Sequence, residues 1–399
     1  MSYNLCCVTT MPWGSWEGPA YHIMVELAKR HQVAYIQRLQ TGGPLRRLLG
    51  RPTLFKGWKP YWGERNLVVH TFVAPVPYAT HLLPQRAVPL VAPVIRRVND
   101  ALFCRLVRHI VHDGRPARPI LWLMDPLSRG LLGTAPWHLT LYHCYDQIAA
   151  FPQNQRIAPL IKDEERQIVE KVDLVLAVSQ ALYGARRAWN PNTHYVPNGA
   201  DFHHFSQARE ETTAIPSDMG CLSHPILGYM GTVDFRMDLE LLLGVAQERP
   251  QWNIVIVGEA RNLGPAWHRL LAQPNVHFLG KKPYPELPCH LKAMDVCLIP
   301  WHVDKATAAM YPIKLHEYLA AGKPVVATPI PSLLAFDGVI AVAGEIAEFI
   351  EATAHCLAQD SPKQVMQRVK LAQENSWEKR ASQIEQIMAE FLSNGREEP

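Results

Sequence analysis

Short runs of apolar residues alternate with longer segments of helical periodicity along nearly the whole chain. Most runs are continuously apolar, which is typical of parallel strands covered by helices on both faces. The repeated alternation therefore predicts an α/β fold built on parallel sheets. The predicted strands are YNLCCVTT (3–10), VAYIQR (33–38), LVVHTFV (67–73), PILWLMD (119–125), LTLYHCYD (139–146), DLVLAVS (173–179), HYVPNG (194–199), ILGYMG (226–231), NIVIVG (253–258), VHFLG (276–280), DVCLIPW (295–301) and PVVAT (324–328).

The alternation is interrupted by SQAREETTAIPSDMGCLSHP (206–225), a polar stretch without a strong period. We therefore predict two doubly wound, Rossmann-like domains, 1–205 and 206–375, followed by a closing helix in 376–399. The closing segment is amphipathic. Its predicted apolar stripe consists of Ile384, Ile387, Met388 and Phe391.

Length and composition exclude several classes of protein. The chain has 399 residues, of which 48% are hydrophobic and 19% charged, so a disordered or fibrous chain is excluded. Apart from the adjacent Cys6 and Cys7, which lie in an apolar run, the eight cysteines form no scaffold of closely spaced pairs, and no basic region followed by an apolar one opens the chain. We therefore expect reduced thiols, no signal peptide and a cytoplasmic location.

Charge is divided unevenly along the chain. Residues 1–200 carry 23 Lys and Arg against 12 Asp and Glu, whereas the remainder carries 17 against 24. No nucleic-acid-binding signature accompanies the basic half, so we expect no nucleic-acid partner. The segment RRLLGRPTLFKGWKPYW (46–62) interleaves cations with aromatic residues and predicts contact with an anionic membrane surface. An anionic glycan acceptor, or a solvated face without a partner, would explain the same bias.

The stretch MYPIKLHEYLAAGKPVVAT (310–328) is the most informative about chemistry. Pro312 can open a helix and Gly322 can end it. Lys314 then lies in the first turn, where free N–H groups and the helix dipole favour a phosphate. Glu317, one turn later, could accept two hydrogen bonds from the diol of a ribose. The alternative is an ordinary amphipathic helix with a solvated Lys and Glu.

This stretch resembles the donor-site helix of family 4 glycosyltransferases with a P-x-K-L-x-E-Y-L-A-A-G-x-P-V-V signature. The resemblance covers most of residues 139–390 and points to the branch that forms cell-surface polysaccharides. It implies the GT-B fold, with two Rossmann-like domains across a cleft and a C-terminal helix that crosses back to the first domain. Further matching segments are VDLVLAVSQAL (172–182), YVPNGADFHHF (195–205), ILGYMGTVDFRMDLELL (226–242) and SWEKRASQIEQIM (376–388).

The resemblance implies a nucleotide-sugar held between the domains, mainly on the second. Glu317 would hold the ribose, Ile313 and Lys314 would face the diphosphate, and Arg236 would present a further cation to it. Loops would supply the remaining donor contacts, namely Gly14, Gly231, Thr232, Gly280 and Lys281. Two departures from the family pattern stand out. Ala309 replaces a second Glu near the donor sugar, and no Lys follows Arg236 within a few residues.

In the first domain, LYHCYDQIAAF (141–151) resembles a Y-D-C-x-D-D-x-x-x-F pattern of the polysaccharide-forming branch. Asp146 matches the first acid of the pair, whereas His143 and Gln147 replace two other acids. A carboxylate at the end of a parallel strand is placed to meet a ligand. Asp146 could orient an acceptor hydroxyl or stabilise cationic character at the sugar carbon. Its alternative role is to cap the next helix, and His143 is interpreted as a buried core imidazole.

The function implied by the resemblance is transfer of a sugar from a UDP- or GDP-linked donor to a hydroxyl of a glycan or lipid-linked acceptor. Asp146, Arg236 and Lys314 would be the catalytic residues. Retention at the anomeric carbon and independence from metals and other cofactors are implied as well, and no D-x-D motif is present. The enzyme would be cytoplasmic and peripheral on the inner face of the membrane. The alternatives are a sugar-nucleotide epimerase on the same fold and a non-catalytic sugar-nucleotide-binding subunit.

Overall fold

The computed structural model describes residues 2–13, 18–39, 61–64, 66–73, 88–112, 119–261 and 263–394. Within these ranges the strands form one sheet of eight and one of six. The strands are β1 (Asn4–Thr9), β2 (Gln32–Leu39), β3 (Tyr61–Glu64), β4 (Leu67–Val73), β5 (Pro119–Leu123), β6 (Leu139–Cys144), β7 (Leu174–Ala177), β8 (Thr193–Tyr195), β9 (Ile226–Met230), β10 (Asn253–Val257), β11 (Val276–Gly280), β12 (Val296–Ile299), β13 (Val325–Ala327) and β14 (Ala341–Val342).

Helices connect most of these strands, as the sequence periodicity predicts. Short 3₁₀ segments occur between them, and no helix of the described residues is long and apolar enough to span a bilayer. The α-helices are α1 (Pro19–Ala28), α2 (Val88–His112), α3 (Ala158–Val169), α4 (Gln180–Arg187), α5 (Phe202–Ser206), α6 (Ser217–Gly220), α7 (Leu239–Glu248), α8 (Pro265–Leu271), α9 (Leu287–Ala293), α10 (Ile313–Ala320), α11 (Pro331–Leu334), α12 (Ile346–Gln359), α13 (Pro362–Glu374) and α14 (Trp377–Asn394).

The first sheet has the order β3-β4-β2-β1-β5-β6-β7-β8 and the second has the order β11-β10-β9-β12-β13-β14. All pairings are parallel except the one between β3 and β4. The predicted α/β class with two doubly wound sheets is therefore confirmed. The sequence analysis missed β3 and β14, because strands of four and two residues are too short to show a hydrophobic period.

Local side-chain chemistry explains where several helices begin and end. The Ser179 hydroxyl accepts a hydrogen bond from the Leu182 N–H and caps α4, and Asp238 caps α7 in the same way through the Leu241 N–H. Gly322 has φ +73 and follows the last turn of α10, as the sequence predicts. The Ser179 cap places the start of α4 directly after β7, and the Asp238 cap starts α7 at the end of the loop that follows β9, the edge where ligands bind in such folds.

The closing helix α14 packs back onto the first domain. Ile384 and Met388 are fully buried in the core that surrounds α1, and Ile387 and Phe391 are partly buried against it. The predicted apolar stripe is therefore confirmed. A carboxylate oxygen of Glu385 lies 2.7 Å from Nε2 of His31, which adds a polar contact to this packing.

Two chain segments cross between the domains side by side. Ala200 and Ser376 form a parallel bridge, with the Ala200 N–H donating to the Asn375 carbonyl at 3.1 Å. A Cβ on Gly199 would lie 2.8 Å from that same carbonyl oxygen, so the close approach requires glycine. The polar segment after the first crossing is not a free linker, because Ala208 and Met219 are buried in the core of the second domain.

Candidate donor site

The candidate site lies at the carboxyl ends of the second sheet, where the loops after β9, β10 and β11 meet the start of α10. Backbone hydrogen bonds tie the three loops together. The Gly231 N–H donates to the Val257 carbonyl at 2.9 Å, and the Gly258 N–H donates to the Gly280 carbonyl at 2.9 Å. The first turn of α10 then presents its backbone N–H groups to this edge of the sheet.

Lys314 is the buried cation of the site. Its residue is only 9% exposed, and its Nζ lies 4.4 Å from the ring centroid of Trp301 and 5.0 Å from that of Tyr229. Burial, together with the positive charge of Arg236, lowers the pKa of Lys314 to about 7. The alternative in which Lys314 is a solvated surface residue is therefore wrong.

Arg236 shares the same aromatic support. Its guanidinium carbon lies 5.1 Å from the Trp301 ring centroid, so this indole supports both cations. Nε and Nη2 of Arg236 each donate to a carboxylate oxygen of Asp234 at 2.8 Å. Burial disfavours the charge, but the hydrogen bonds to Asp234 together with the negative charges of Asp234 and Asp146 outweigh it and raise the pKa of Arg236 above its ordinary value.

Sequence analysis missed Trp301 and Asp234, although both carried a signal. Trp301 ends the predicted strand 295–301, at the edge where ligands bind in this fold. Asp234 stands two residues before Arg236, close enough to hold its guanidinium. The cation–aromatic contact itself has no sequence signal, because Trp301 and Lys314 lie on different elements.

Two glycines allow the loops to approach Lys314. Gly231 has φ +142, and a Cβ there would lie 3.1 Å from Cε of Lys314. Gly258 has φ +155, and its Cβ would lie 1.9 Å from the Gly231 carbonyl oxygen. Sequence analysis named Gly231 but missed Gly258, whose signal is its place directly after a predicted strand. The carbonyl of the neighbouring Thr232 accepts the Tyr229 hydroxyl at 2.8 Å.

The other predicted donor residues surround this centre. Gly280 has φ +67, and a Cβ there would meet no atom within 4 Å, so its loop is open. The adjacent Lys281 is exposed. Glu317 is half-buried one turn after Lys314, and its charge raises the pKa of Lys314, though less than burial lowers it. Ile313 packs against the core of the first domain, so the start of α10 lies in the cleft.

Asp146 faces the site from the first domain. The residue is half-buried, and burial raises its pKa to about 7, although the positive charge of Arg236 acts in the opposite direction. The following 3₁₀ turn, Ile148–Ala150, is preceded by Gln147 and has no side-chain cap. Asp146 is thus not the helix cap that the alternative interpretation required, and its carboxylate lies within the electrostatic range of Arg236.

The neighbours of Asp146 have structural roles. His143 is buried, and burial lowers its pKa to about 3; neither ring nitrogen has a hydrogen-bond partner among the described residues. The prediction of a buried core imidazole is therefore confirmed. Gln147 accepts a hydrogen bond from Nη2 of Arg186 at 3.3 Å, and that nitrogen also donates to both carboxylate oxygens of Glu165 at 2.9 Å.

Direct contacts join the two domains beside the cleft. The Ser179 hydroxyl donates to the Ala309 carbonyl at 2.7 Å, and Nδ2 of Asn198 donates to the Tyr311 carbonyl at 2.8 Å. Ala309, where the family pattern has an acid, is buried at this interface. The structure thus brings together Gly231, Arg236 and Lys314 and places Asp146 opposite them. Gly14 and residues 46–60 lie outside the described residues.

Comparison with known proteins agrees with this architecture. Residues 224–359 match the model of a family described as "Glycosyl transferases group 1". A Bacillus subtilis (strain 168) relative, a proposed teichuronic acid biosynthesis glycosyltransferase named TuaH, is 29% identical over 255 residues. That match covers 59% of this chain and 63% of the relative, so it spans less than two thirds of the relative's length.

Solved structures resemble nearly the whole chain at low identity. Sucrose-phosphate synthase from Thermosynechococcus elongatus has a TM-score of 0.69 at 18% identity and covers 98% of this chain and 100% of its own. Anabaena HepE in complex with UDP and glucose has a TM-score of 0.65 at 18% identity, with the same coverage. An E. coli trehalose-6-phosphate structure bound with UDP-2-fluoro glucose has a TM-score of 0.68 at 11% identity, covering 98% and 99%. The predicted GT-B fold is confirmed, and the resemblance to glycosyltransferases is supported over residues 224–359 by the group 1 match.

Proposed function

We propose that this chain, which has the GT-B fold and a glycosyl transferases group 1 match in its second domain, transfers a sugar from a nucleotide diphosphate to a hydroxyl acceptor. One observation carries the proposal. Two cations, the buried Lys314 and the half-buried Arg236, rest on Trp301 at the start of α10 and face the carboxylate of Asp146. Asp234 already pairs with Arg236, so a diphosphate would supply the negative charge that Lys314 lacks, and the reacting sugar would then lie between the domains.

The donor proposed is a UDP- or GDP-linked sugar. Glu317 is one helical turn from Lys314, so a ribose on its carboxylate would leave the diphosphate beside the Lys314 ammonium. The open loop at Gly280 and Lys281 is where the base would lie. HepE and the E. coli trehalose-6-phosphate structure, which share the fold, bind UDP or a UDP-sugar, and this favours UDP among the candidates.

The chemistry proposed is a front-face transfer with retention. The acceptor oxygen bonds to the anomeric carbon as the bond from that carbon to the diphosphate oxygen breaks, and the acceptor proton passes to the departing diphosphate. Lys314, Arg236 and the N–H groups of α10 stabilise the charge that develops on the leaving group. Asp146 orients the acceptor hydroxyl or stabilises the cationic sugar carbon.

We propose that this transfer needs no metal ion. Fixed cations already stand where a divalent ion would otherwise neutralise the diphosphate, since Lys314 and Arg236 share one aromatic support. Activity should therefore survive EDTA. Complete loss of transfer in EDTA, restored by Mn²⁺ or Mg²⁺, would contradict this part of the proposal.

The acceptor proposed is a glycan or a lipid-linked glycan, in polysaccharide biosynthesis. The Bacillus subtilis relative is assigned by name to teichuronic acid, and the first half of this chain carries 23 Lys and Arg against 12 Asp and Glu. This excess suits an anionic polymer and an anionic leaflet alike. We therefore propose peripheral association with the cytoplasmic face of the membrane, with the basic segment 46–62 as one contact.

Calorimetry with UDP and GDP tests the donor site. Glu317→Ala should weaken binding of the preferred nucleotide by about 1–3 kcal/mol, because two charge-assisted hydrogen bonds to the ribose are lost. Glu351→Ala, an exposed glutamate on α12, is the matched control and should bind as the parent does. Equal affinity in all three proteins would refute the assigned site. Recovery of an epimerised donor in place of a glycosylated acceptor would favour the epimerase alternative.

A further inference from the structure

The long helix α2 of the first domain has one largely exposed face, on which Nε of Arg108 donates to the Thr134 carbonyl at 3.2 Å. Its inner face is buried against the sheet, where Phe103 and Val107 are almost fully covered. On the opposite side Val94, Val98 and Leu102 are exposed by 57%, 44% and 42%, although they are large and apolar. Their spacing of four residues places them in one stripe along the helix.

Cations accompany this stripe. Arg97, Arg105 and Arg108 are exposed and fall on the same face, which spans about 140° at 100° per residue. Neither Arg97 nor Arg105 forms an ion pair with a residue that the structure describes. The helix contains one acid, Asp100, which lies outside this face, about 60° from Arg97, and binds the Arg38 guanidinium at 2.5 Å. The outer face of α2 is thus apolar and basic, without an acid.

We propose that this outer face of α2 docks the protein on an anionic lipid bilayer. The proposal rests on the membrane association proposed above, and it adds a described surface to the contact proposed for segment 46–62. The face extends from Val94 to Arg108, about 20 Å at 1.5 Å per residue, which suits a helix lying in the plane of the interface. Val94, Val98 and Leu102 would enter the headgroup region, while the arginines extend sideways to lipid phosphates.

The charge of the face favours a bilayer over a second copy of this chain. In a pair of identical faces, Arg97, Arg105 and Arg108 would meet the same arginines of the partner with no carboxylate to separate them. Such like-charge contacts oppose association. An anionic leaflet supplies phosphates to every arginine at once, and it accepts the apolar stripe without requiring a shaped partner. Residues 1–200 as a whole carry a net charge of +11, which adds long-range attraction to the same leaflet.

Co-sedimentation of the full chain with vesicles tests the proposal. The vesicles contain phosphatidylglycerol and phosphatidylcholine in equal parts, or phosphatidylcholine alone, at low and high salt. We expect binding to the anionic vesicles that weakens with salt. Arg97→Glu/Arg105→Glu should reduce the partition coefficient at least ~25-fold, about fivefold for each arginine removed. Val98→Glu should reduce binding as well, because it puts a charge into the apolar stripe.

Met366→Glu is the matched control, since Met366 is 66% exposed on α13 of the second domain and lies outside the proposed face. It should bind vesicles as the parent does. Val98→Trp provides a gain that misfolding cannot imitate, because an interfacial indole should tighten binding. Circular dichroism and nucleotide calorimetry on each variant establish that the fold and the donor site are intact.

The outcomes separate the two proposals. Parent binding to anionic vesicles that the α2 variants retain in full would overturn this face as the contact and leave membrane association to another surface. Failure of the parent to bind either vesicle would overturn both membrane proposals. If the same protein binds nucleotide in calorimetry, the transferase proposal is unaffected. Loss of vesicle binding in the α2 variants alone, with tighter binding by Val98→Trp, supports the assignment. Concentration-dependent dimerisation abolished by the same variants, without lipid binding, would assign the face to a second copy instead.

Discussion

The two domains differ in how they neutralise the charge of a buried cationic side chain. In the first domain Arg186 is 3% exposed and donates to both carboxylate oxygens of Glu165, itself 3% exposed. In the second domain Lys314 is 9% exposed with a second cation, Arg236, close enough to help lower its pKa to about 7. Asp234 satisfies Arg236 but not Lys314, which rests on aromatic faces. The charge of Arg186 is thus neutralised inside the protein, whereas the charge of Lys314 would be neutralised by a bound anion.

We therefore assign a structural role to the charge of Arg186 and a ligand-binding role to the charge of Lys314. Glu165 also accepts the Tyr142 hydroxyl at 3.0 Å, so its lone pairs are used inside the protein. Desolvating a cation beside another cation is unfavourable and is tolerated where binding energy from a ligand offsets it. The comparison predicts that mutations in the two clusters affect different properties.

The largest expected effect is on stability, from Arg186→Met. Removal of one partner leaves the Glu165 carboxylate uncompensated in the core, which typically costs about 3–5 kcal/mol of unfolding free energy. Urea unfolding should show this loss, while the remaining folded protein binds nucleotide as the parent does. The double variant Arg186→Met/Glu165→Leu should recover much of the loss, because no buried charge remains. Arg166→Met, at an exposed pair with Glu170, is the control and should change stability little. Full stability in Arg186→Met would break the comparison.

Lys314→Ala should show the reverse pattern. Loss of a donor aimed at the developing charge on the diphosphate should reduce kcat by about 10²–10³-fold. Unfolding free energy should stay near that of the parent, because a buried ammonium disfavoured by its surroundings is removed. Lys323→Ala is a suitable control. Lys323 lies just beyond the other end of α10, and its Nζ donates to the Lys292 carbonyl at 2.9 Å. The Lys323→Ala variant should have the kcat of the parent. A stability loss in Lys314→Ala with unchanged turnover would make Lys314 a structural residue.

Gly258→Ala tests whether the loops at the donor edge depend on close backbone approach. An alanine there must adopt φ +155 with its Cβ 1.9 Å from the Gly231 carbonyl oxygen, so the two loops must separate. We expect a loss of about 1–3 kcal/mol in unfolding free energy and weaker nucleotide binding, because Gly231 lies beside the Lys314 side chain. Gly264→Ala is the control, since a Cβ there meets nothing within 4 Å. Nucleotide affinity equal to the parent's would show that nucleotide binding does not depend on the position of Gly231.

The fold was largely predictable because parallel strands buried on both faces are continuously apolar, as in NIVIVG (253–258). The strands that the sequence analysis missed, β3 and β14, are short edge strands whose pairing depends on a neighbour already in place. The helix start at Ile313 and its end at Gly322 were equally readable, since Pro and Gly act through their own backbone chemistry.

The site was predictable only where a residue's role follows from its own segment. Lys314 and Arg236 were named from linear motifs, and both lie at the donor edge. Trp301, Asp234 and Gly258 were missed, because their roles exist only after three loops have met. Burial of Lys314 could not be foreseen either. Its position in the helix is compatible with solvent, and the rings of Tyr229 in β9 and Trp301 just after β12 cover it in the folded chain.

The smallest expected effect is proton uptake on binding of UDP. It is also the most direct test of the uncompensated charge of Lys314. Burial and Arg236 lower the pKa of Lys314 to about 7 from an ordinary value of 10.5, so in the free protein it is largely neutral at pH 8. A diphosphate raises that pKa again, and Lys314 takes up a proton. Uptake, of at most about one proton, should fall as the pH drops below 7, where the ammonium is already formed.

Calorimetry at pH 8 in buffers of different ionisation enthalpy measures this proton uptake. Lys314→Met should abolish most of the uptake. Asp146→Asn isolates any share from Asp146, whose pKa burial raises to about 7. The same uptake in Lys314→Met and the parent would place the titrating group elsewhere.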